Sequence, residues 1–290
     1  MRQTGLTRPF ARTAGATARG GRADGRARTK KRARARGGRA RRAAAALALL
    51  LMLLPAAAAE KGAAHTAAEF AGIKEISAAA GLASEESLAA AADGEGGATV
   101  FLTFDDGPTD STTPRVLDIL RQKRVHATFF VIGRQIRGRE DILRRTAAEG
   151  HAVGIHSHTH VYREIYASPA ALLADIGRCR AAIRAVLPHF AGRLYRFPGG
   201  AYGLDGALVA AVKEAGYFPC GWNASAGDAE PPPKSADELL QNALATAAGK
   251  ERAVLLLHDG VHYEQTVRCL PALIDEFRAR GYRFGVLKEP

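Results

Sequence analysis

Two short segments of the chain set residues side by side in ways that could do chemistry. Thr103-Phe104-Asp105-Asp106-Gly107 places two carboxylates together. Adjacent carboxylates repel, so a buried couple needs a proton or a cation. At the end of a strand, successive side chains point in different directions. One carboxylate can then bind a metal while its neighbour stays free as a base. His156-Ser157-His158-Thr159-His160 places two imidazoles four residues apart. On a helical turn His156 and His160 share a face and can chelate one ion, while His158 points elsewhere. Two neutral imidazoles and one carboxylate leave a coordination position open, as a catalytic zinc requires. No Glu lies between these histidines, which argues against a protease of the His-Glu-x-x-His type.

Three further segments join them. In Tyr195-Arg196-Phe197-Pro198-Gly199-Gly200, a guanidinium can hold a carboxylate by charge-assisted hydrogen bonds. The Pro-Gly-Gly that follows lets backbone approach a ligand and aim an N–H at it. Trp222-Asn223-Ala224-Ser225-Ala226-Gly227-Asp228 supplies an aromatic and a carboxylate, and Leu256-Leu257-His258-Asp259 ends an apolar run on a histidine. A single histidine in such a place is more often structural than catalytic, so His258 draws its interest from the other four segments.

The elements that must position these residues begin at residue 98, where short apolar runs start to alternate with amphipathic segments. Strands are predicted over Ala98–Phe104, Ala127–Ile132, Ala152–His156, Leu194–Phe197, Tyr217–Trp222, Ala253–His258 and Arg283–Val286. Helices are predicted over Thr113–Arg124, Arg134–Glu149, Pro169–Leu187, Asp205–Ala215, Ser235–Ala248 and Glu264–Arg280, several of them stopped by Gly. Continuous apolar strands alternating with helices imply a parallel sheet covered by helices. Periodicity leaves a barrel and an open sheet equally open. In either, chemistry gathers at the carboxyl ends of the strands. Asp105, Asp106, His156, Arg196, Asp228 and His258 all fall at or just after such ends.

With these segments in order, residues 98–290 resemble the NodB-homology domain of the polysaccharide deacetylases, carbohydrate esterase family four. Thr-Phe-Asp-Asp-Gly, His-Ser-x-x-His and Leu-x-His are intact at 103–107, 156–160 and 256–258, while the motifs at 196–200 and 225–229 are variant. The resemblance implies a distorted (β/α)7 barrel. It implies that Asp106, His156 and His160 bind one divalent metal, zinc first, with cobalt or another ion as alternatives. Asp105 would be the base that activates a metal-bound water, oriented by Arg196. The Gly199 N–H would serve in the oxyanion hole. His258 would protonate the departing amine and Asp228 would orient it, with Trp222 and Leu256 walling the acetyl pocket. The implied activity is removal of N-acetyl groups from an extracellular N-acetylglucosamine polysaccharide, peptidoglycan first and a chitin-like oligosaccharide next. A weakly catalytic glycan-binding relative and an O-acetyl (xylan-type) esterase are the alternatives. Ser225, Ala229 and Gly199 replace an Asp, a Trp and a Tyr of the family pattern, which bears on the sugar groove more than on the chemistry.

The 290 residues carry a formal charge of +12, which alone would suggest nucleic acid. Of the 41 Lys and Arg, 15 lie in residues 1–42 with Asp24 as the lone acid there, so the remainder is slightly acidic. Steering of nucleic acid by the domain is therefore not expected. The basic tail runs into the apolar stretch 43–59, interrupted by Pro55, and then into an Ala/Gly/Ser/Glu-rich linker over 60–97. Basic, then apolar, then small residues is the order of a secretory signal or an uncleaved membrane anchor. Either places the domain outside the cytoplasm, tied to the membrane if the segment is uncleaved; a polysaccharide partner and a monomeric state are expected separately. Cys179, Cys220 and Cys269 form no CxxC pair and are expected to be buried small residues.

Overall fold

In the computed structural model, residues 97–290 are described. The expected tail, apolar segment and linker lie outside them. Among the described residues no helix is long and apolar enough to cross a membrane.

The elements run in chain order as β1 Thr99–Asp105, α1 Thr113–Lys123, β2 Thr128–Ile132, α2 Gly133–Ile136, α3 Glu140–Ala148, β3 Ala152–Ser157, α4 Tyr162–Ile165, α5 Pro169–Val186, β4 Leu194–Tyr195, α6 Gly206–Glu214, β5 Phe218–Pro219, β6 Ala224–Ser225, α7 Ala236–Ala247, β7 Arg252–His258, α8 Glu264–Ala279 and β8 Arg283–Gly285. The strands hydrogen-bond in the order β5-β4-β3-β2-β1-β7-β6, with β8 beside the first half of β1, and every pairing is parallel. The result is a curled half-barrel with helices against it, the (β/α)7 type expected. Strand β1 is central. Its residues are buried throughout, and β7 pairs with it from Thr99↔Arg252 to Asp105↔His258. That alternation-free burial is why the strand reads as a continuous apolar run.

Most of the core is one cluster that joins the strands to the inner faces of α1, α5, α7 and α8. The three cysteines are buried and free. Helices α3, α6 and α8 stop just before Gly150, Gly216 and Gly281, which all turn left-handed as the sequence indicates.

Three expectations need correction. The helix predicted over Arg134–Glu149 is two helices. The chain becomes extended at Arg137 and restarts at Glu140, whose carboxylate accepts from Gly138 N at 3.0 Å. The strand predicted over Tyr217–Trp222 shrinks to Phe218–Pro219, because the Cys220 and Gly221 carbonyls accept hydrogen bonds from the Arg196 side chain instead of a neighbouring strand. The chain then crosses to the far edge of the sheet, where Ala224–Ser225 pairs with β7. Finally, His156 and His160 do not share a helical turn: His156 belongs to β3, and His160 sits in a loop with φ 55°.

Candidate active site

The carboxyl ends of β1, β3, β4 and β7 converge on one pocket of polar side chains. Strand β1 delivers both acids, and the backbone separates them. Asp105 is the last strand residue, and its Oδ1 accepts from Arg196 Nη1 at 3.0 Å. Asp106 turns left-handed with φ 75°, and Gln135 Nε2 donates to its carbonyl at 2.8 Å. Its side chain therefore leaves the strand's direction and faces β3. The next residue must be Gly, since a Cβ at 107 would lie 2.3 Å from Asp259 Oδ2.

Asp106 Oδ1 lies 3.4 Å from His156 Nε2 and 3.3 Å from His160 Nε2, and the three donor atoms fall within 4.8 Å of one another. The His156 ring Nδ1 sits 2.9 Å from the Arg196 carbonyl. A carbonyl only accepts, so Nδ1 carries the hydrogen and Nε2 keeps its lone pair facing the cluster. Asp106 Oδ1 is buried with no hydrogen-bond donor of its own. A buried carboxylate oxygen without a donor, two imidazole nitrogens and an open side together fit a divalent cation. Burial works against the charge of Asp106, but with the imidazoles protonated and no ion bound, the hydrogen bond and charge of His156, with His160 and His258 behind it, hold the carboxyl down to about 2. Burial and the neighbouring His156 charge lower His160 against the pull of Asp106 and Asp105, which favours the neutral, ligating form.

Arg196 is fully buried and makes four fixed contacts: Thr103 Oγ1 at 2.7 Å, Asp105 Oδ1 at 3.0 Å, Cys220 O at 3.1 Å and Gly221 O at 2.9 Å. Its guanidinium also stacks over Phe130, 4.2 Å from the ring centroid. A buried cation held this way fixes the Asp105 carboxylate as its counter-charge. Across the sheet, the register places His258 directly beside Asp105. His258 Nδ1 lies 2.8 Å from Asp228 Oδ1, while Asp228 Oδ2 accepts from His258 N and from Thr266 Oγ1, each at 2.8 Å. Burial disfavours the imidazolium, but the Asp228 hydrogen bond and charge outweigh it, helped by Asp105 and Asp106, and His258 rises to about 9.

The remaining expected residues are placed as follows. Gly199 is exposed on the turn after β4 with φ 73°, and its N–H donates to no acceptor among the described residues. Trp222 is half-buried and packs against Gly200, where a Cβ would come within 2.9 Å of the indole. Leu256 pairs in register with Ser225 at the pocket end of β7. Ser225 stands in for an acid only in sequence: its hydroxyl caps the turn by accepting from Gly227 N at 3.0 Å. His158 does point elsewhere, against Gly133.

The sequence reading missed Asp175. This buried acid on α5 accepts from Ser157 Oγ at 2.6 Å, His158 N at 2.6 Å, and Thr159 N and Oγ1 at 3.1 Å each. Ser157 Oγ in turn accepts from His160 N at 2.8 Å. One carboxylate thus ties the whole His156–His160 loop to a helix. Burial would raise the Asp175 carboxyl, but the Ser157, His158 and Thr159 hydrogen bonds hold it below the usual range. The pattern Leu172, Asp175, Ile176, Cys179, Ile183 was the available signal, since an acid interrupts a helix's apolar stripe. Asp175→Asn turns one acceptor oxygen into a donor facing donors. It is expected to cost about 2–4 kcal/mol in urea unfolding at neutral pH. Because the carboxyl is depressed in the fold, its contribution is present above the unfolded value near 4 and is lost as pH falls below it. Urea curves of the variant and the wild type should therefore converge on acidification. Asp259 was missed as well. Burial pushes its carboxyl up to about 7 against the 2.6 Å hydrogen bond from Thr113 Oγ1, and its N–H donates to the Asp105 carbonyl.

A parallel half-barrel with a carboxylate–imidazole cluster and a His–Asp pair at its carboxyl edge is the arrangement of a barrel-type α/β enzyme domain. Residues 92–219 match the family model described as polysaccharide deacetylase. A chitooligosaccharide deacetylase of Bradyrhizobium sp. is 35% identical over 209 residues, covering 68% of this chain and 92% of that protein. A peptidoglycan-N-acetylglucosamine deacetylase of Bacillus cereus is 31% identical over 191 residues, covering 66% and 86%. Among solved structures, the catalytic domain of a peptidoglycan N-acetylglucosamine deacetylase from Eubacterium rectale superposes with a TM-score of 0.61 at 33% identity, covering 69% of this chain and 94% of that one. The chain belongs to the polysaccharide deacetylase family, NodB homology, carbohydrate esterase family four.

Proposed function

We propose that the chain is an exported, zinc-dependent hydrolase that removes N-acetyl groups from N-acetylglucosamine units of a cell-envelope polysaccharide, peptidoglycan first and chitin-like oligosaccharides next. One observation carries the reading: Asp105 and His258, a base and an acid, stand in register on adjacent strands beside the Asp106–His156–His160 cluster. The two-imidazole, one-carboxylate donor set suits zinc. A divalent ion held there would supply Lewis acidity toward the acetyl group and the attacking water. Asp105, fixed by Arg196, takes the water's proton. The Gly199 N–H donates to the oxyanion of the tetrahedral intermediate. An amine is a poor leaving group, so His258, whose imidazolium Asp228 favours by its hydrogen bond and charge, protonates it, while Asp228 holds the ring in place. Trp222 and Leu256 flank the space for the acetyl methyl.

The rim supports a sugar polymer. Among the described residues the exposed large hydrophobics are Tyr162, Tyr202 and Val261; Tyr162 opens α4, and the other two lie on the connections that follow β4 and β7. Apolar side chains around a polar pocket suit the apolar faces of pyranose rings. The basic–apolar–small order of residues 1–59 supports export.

The test is acetate release by the zinc-loaded protein from peptidoglycan, chitooligosaccharides and acetylxylan. Release from the N-acetylated glycans is expected. Release from acetylxylan alone would replace the reading with an O-acetyl esterase, and tight glycan binding without release would replace it with a binding protein. His156→Ala should weaken zinc binding at least about 100-fold by calorimetry. Wild-type affinity should itself fall as pH drops and protons compete for the imidazoles.

A further inference from the structure

The turn that carries Gly199 can present two opposite groups to the pocket, and a side chain outside the motifs decides between them. Gly200 N donates to Phe197 O at 2.8 Å, closing a four-residue turn with Pro198 and Gly199 at its centre. Gly199 has φ 73°, so the turn is of type II, which favours Pro then Gly at these positions. Type I and type II turns differ mainly by a half-rotation of the central peptide, here the trans peptide between Pro198 and Gly199. That peptide is planar, so its C=O and N–H point in opposite directions. In one orientation the N–H faces the developing oxyanion. In the other, a carbonyl oxygen takes its place and repels it.

Tyr166 Oη donates to the Pro198 carbonyl at 2.7 Å. The phenol is half-buried, and burial raises its pKa far above the ordinary value, so it remains a donor at any working pH. It follows α4, the short helix that also carries Tyr162. The Tyr162 ring meets His160 at 5.4 Å and Tyr166 at 5.8 Å between centroids, and its hydroxyl fills the space beside Gly199 where a Cβ would lie. The helix after the histidine motif thus grips the turn after the arginine motif. We infer that Tyr166 is a positioning residue for the oxyanion donor: by holding the Pro198 carbonyl away from the pocket, it locks the Gly199 N–H toward the reacting acetyl group. The inference rests on the proposed role of that N–H.

The test is Tyr166→Phe, which keeps the ring and removes only the donor. Metal affinity by calorimetry should stay within a few-fold of wild type. On chitooligosaccharides kcat should fall about 10–100-fold with KM nearly unchanged, somewhat less than the loss of an oxyanion donor outright. The loss should shrink on an N-trifluoroacetyl substrate, whose oxyanion needs less help. A kcat within about 2-fold of wild type, or matched losses in metal affinity and KM, would overturn the inference. A second readout is independent of activity. Amide NMR should show Gly199 and Gly200 broadened by exchange in Tyr166→Phe and sharp in wild type, and sharp, unshifted signals in both would also overturn it. A wild-type protein that releases no acetate would sink the deacetylase reading, while the amide signals would still judge the lock.

Discussion

Asp105→Asn is expected to lower kcat by at least about 10³-fold on an N-acetylated glycan while zinc affinity stays within a few-fold of wild type. The amide keeps the carboxylate's shape and can still accept from Arg196, but it cannot take a proton from water. The cluster of Asp106, His156 and His160 does not include residue 105, so the ion should still bind. The variant therefore separates base from ligand in a motif where the two acids are adjacent. It also leaves the buried Arg196 guanidinium, held 3.0 Å from Asp105, without its counter-charge. A stability loss of about 3 kcal/mol in urea unfolding is expected to accompany the loss of turnover. Full activity in Asp105→Asn would exclude this carboxylate as the base.

The second large effect concerns His258. His258→Ala should reduce kcat about 10²–10⁴-fold on an amide substrate, with zinc affinity unchanged. The same variant should lose much less on an activated aryl acetate, whose leaving group departs without a proton. In the metal-free protein, NMR titration should place the His258 midpoint near the elevated value of about 9. Asp228→Asn removes the charge that raises it, and the midpoint should fall toward the ordinary histidine range. The stability linkage has a definite sign. A histidine raised in the fold stabilises fully below its unfolded value near 6.5, and that contribution is lost as pH rises through about 9. Urea midpoints of wild type should therefore decline over this alkaline window, and those of Asp228→Asn should decline less. An unshifted titration in Asp228→Asn would remove Asp228 from its proposed role.

Much of the site was legible because its residues end apolar runs. Asp105, Asp106, His156, Arg196 and His258 each follow a buried strand segment, and strands in one parallel sheet deliver their ends to one edge. What the sequence left hidden depends on contacts distant along the chain. Asp175 sits on a helix and acts on a hydroxyl and backbone amides 16 to 18 positions away. The shortening of the predicted strand at Tyr217–Trp222 follows from Arg196 taking the Cys220 and Gly221 carbonyls, which no local propensity encodes. The helical sharing of a face by His156 and His160 gave the right partners for the wrong geometry. They meet because a strand end and a left-handed loop residue are tied together by Ser157 and Asp175, not because 3.6-residue periodicity aligns them. The break between α2 and α3 was hidden differently, by a local bond in which Arg139 Nη1 donates to the Gln135 carbonyl and closes the bend through a side chain.

The Asp105↔His258 pairing also bears on how such a protein can diversify. Both groups belong to the buried ladder of β1 and β7, where a slip of one residue would carry every side chain to the opposite packed face and part Asp105 from His258. Tyr162, Tyr202 and Val261, by contrast, lie exposed on the connections between strands, Tyr162 at the start of the short α4. On the proposed function, chemistry and substrate choice thus reside in separate parts of the chain. Loops can be lengthened, shortened or exchanged to suit a new glycan while the reaction stays protected by the same alignment that keeps the core folded.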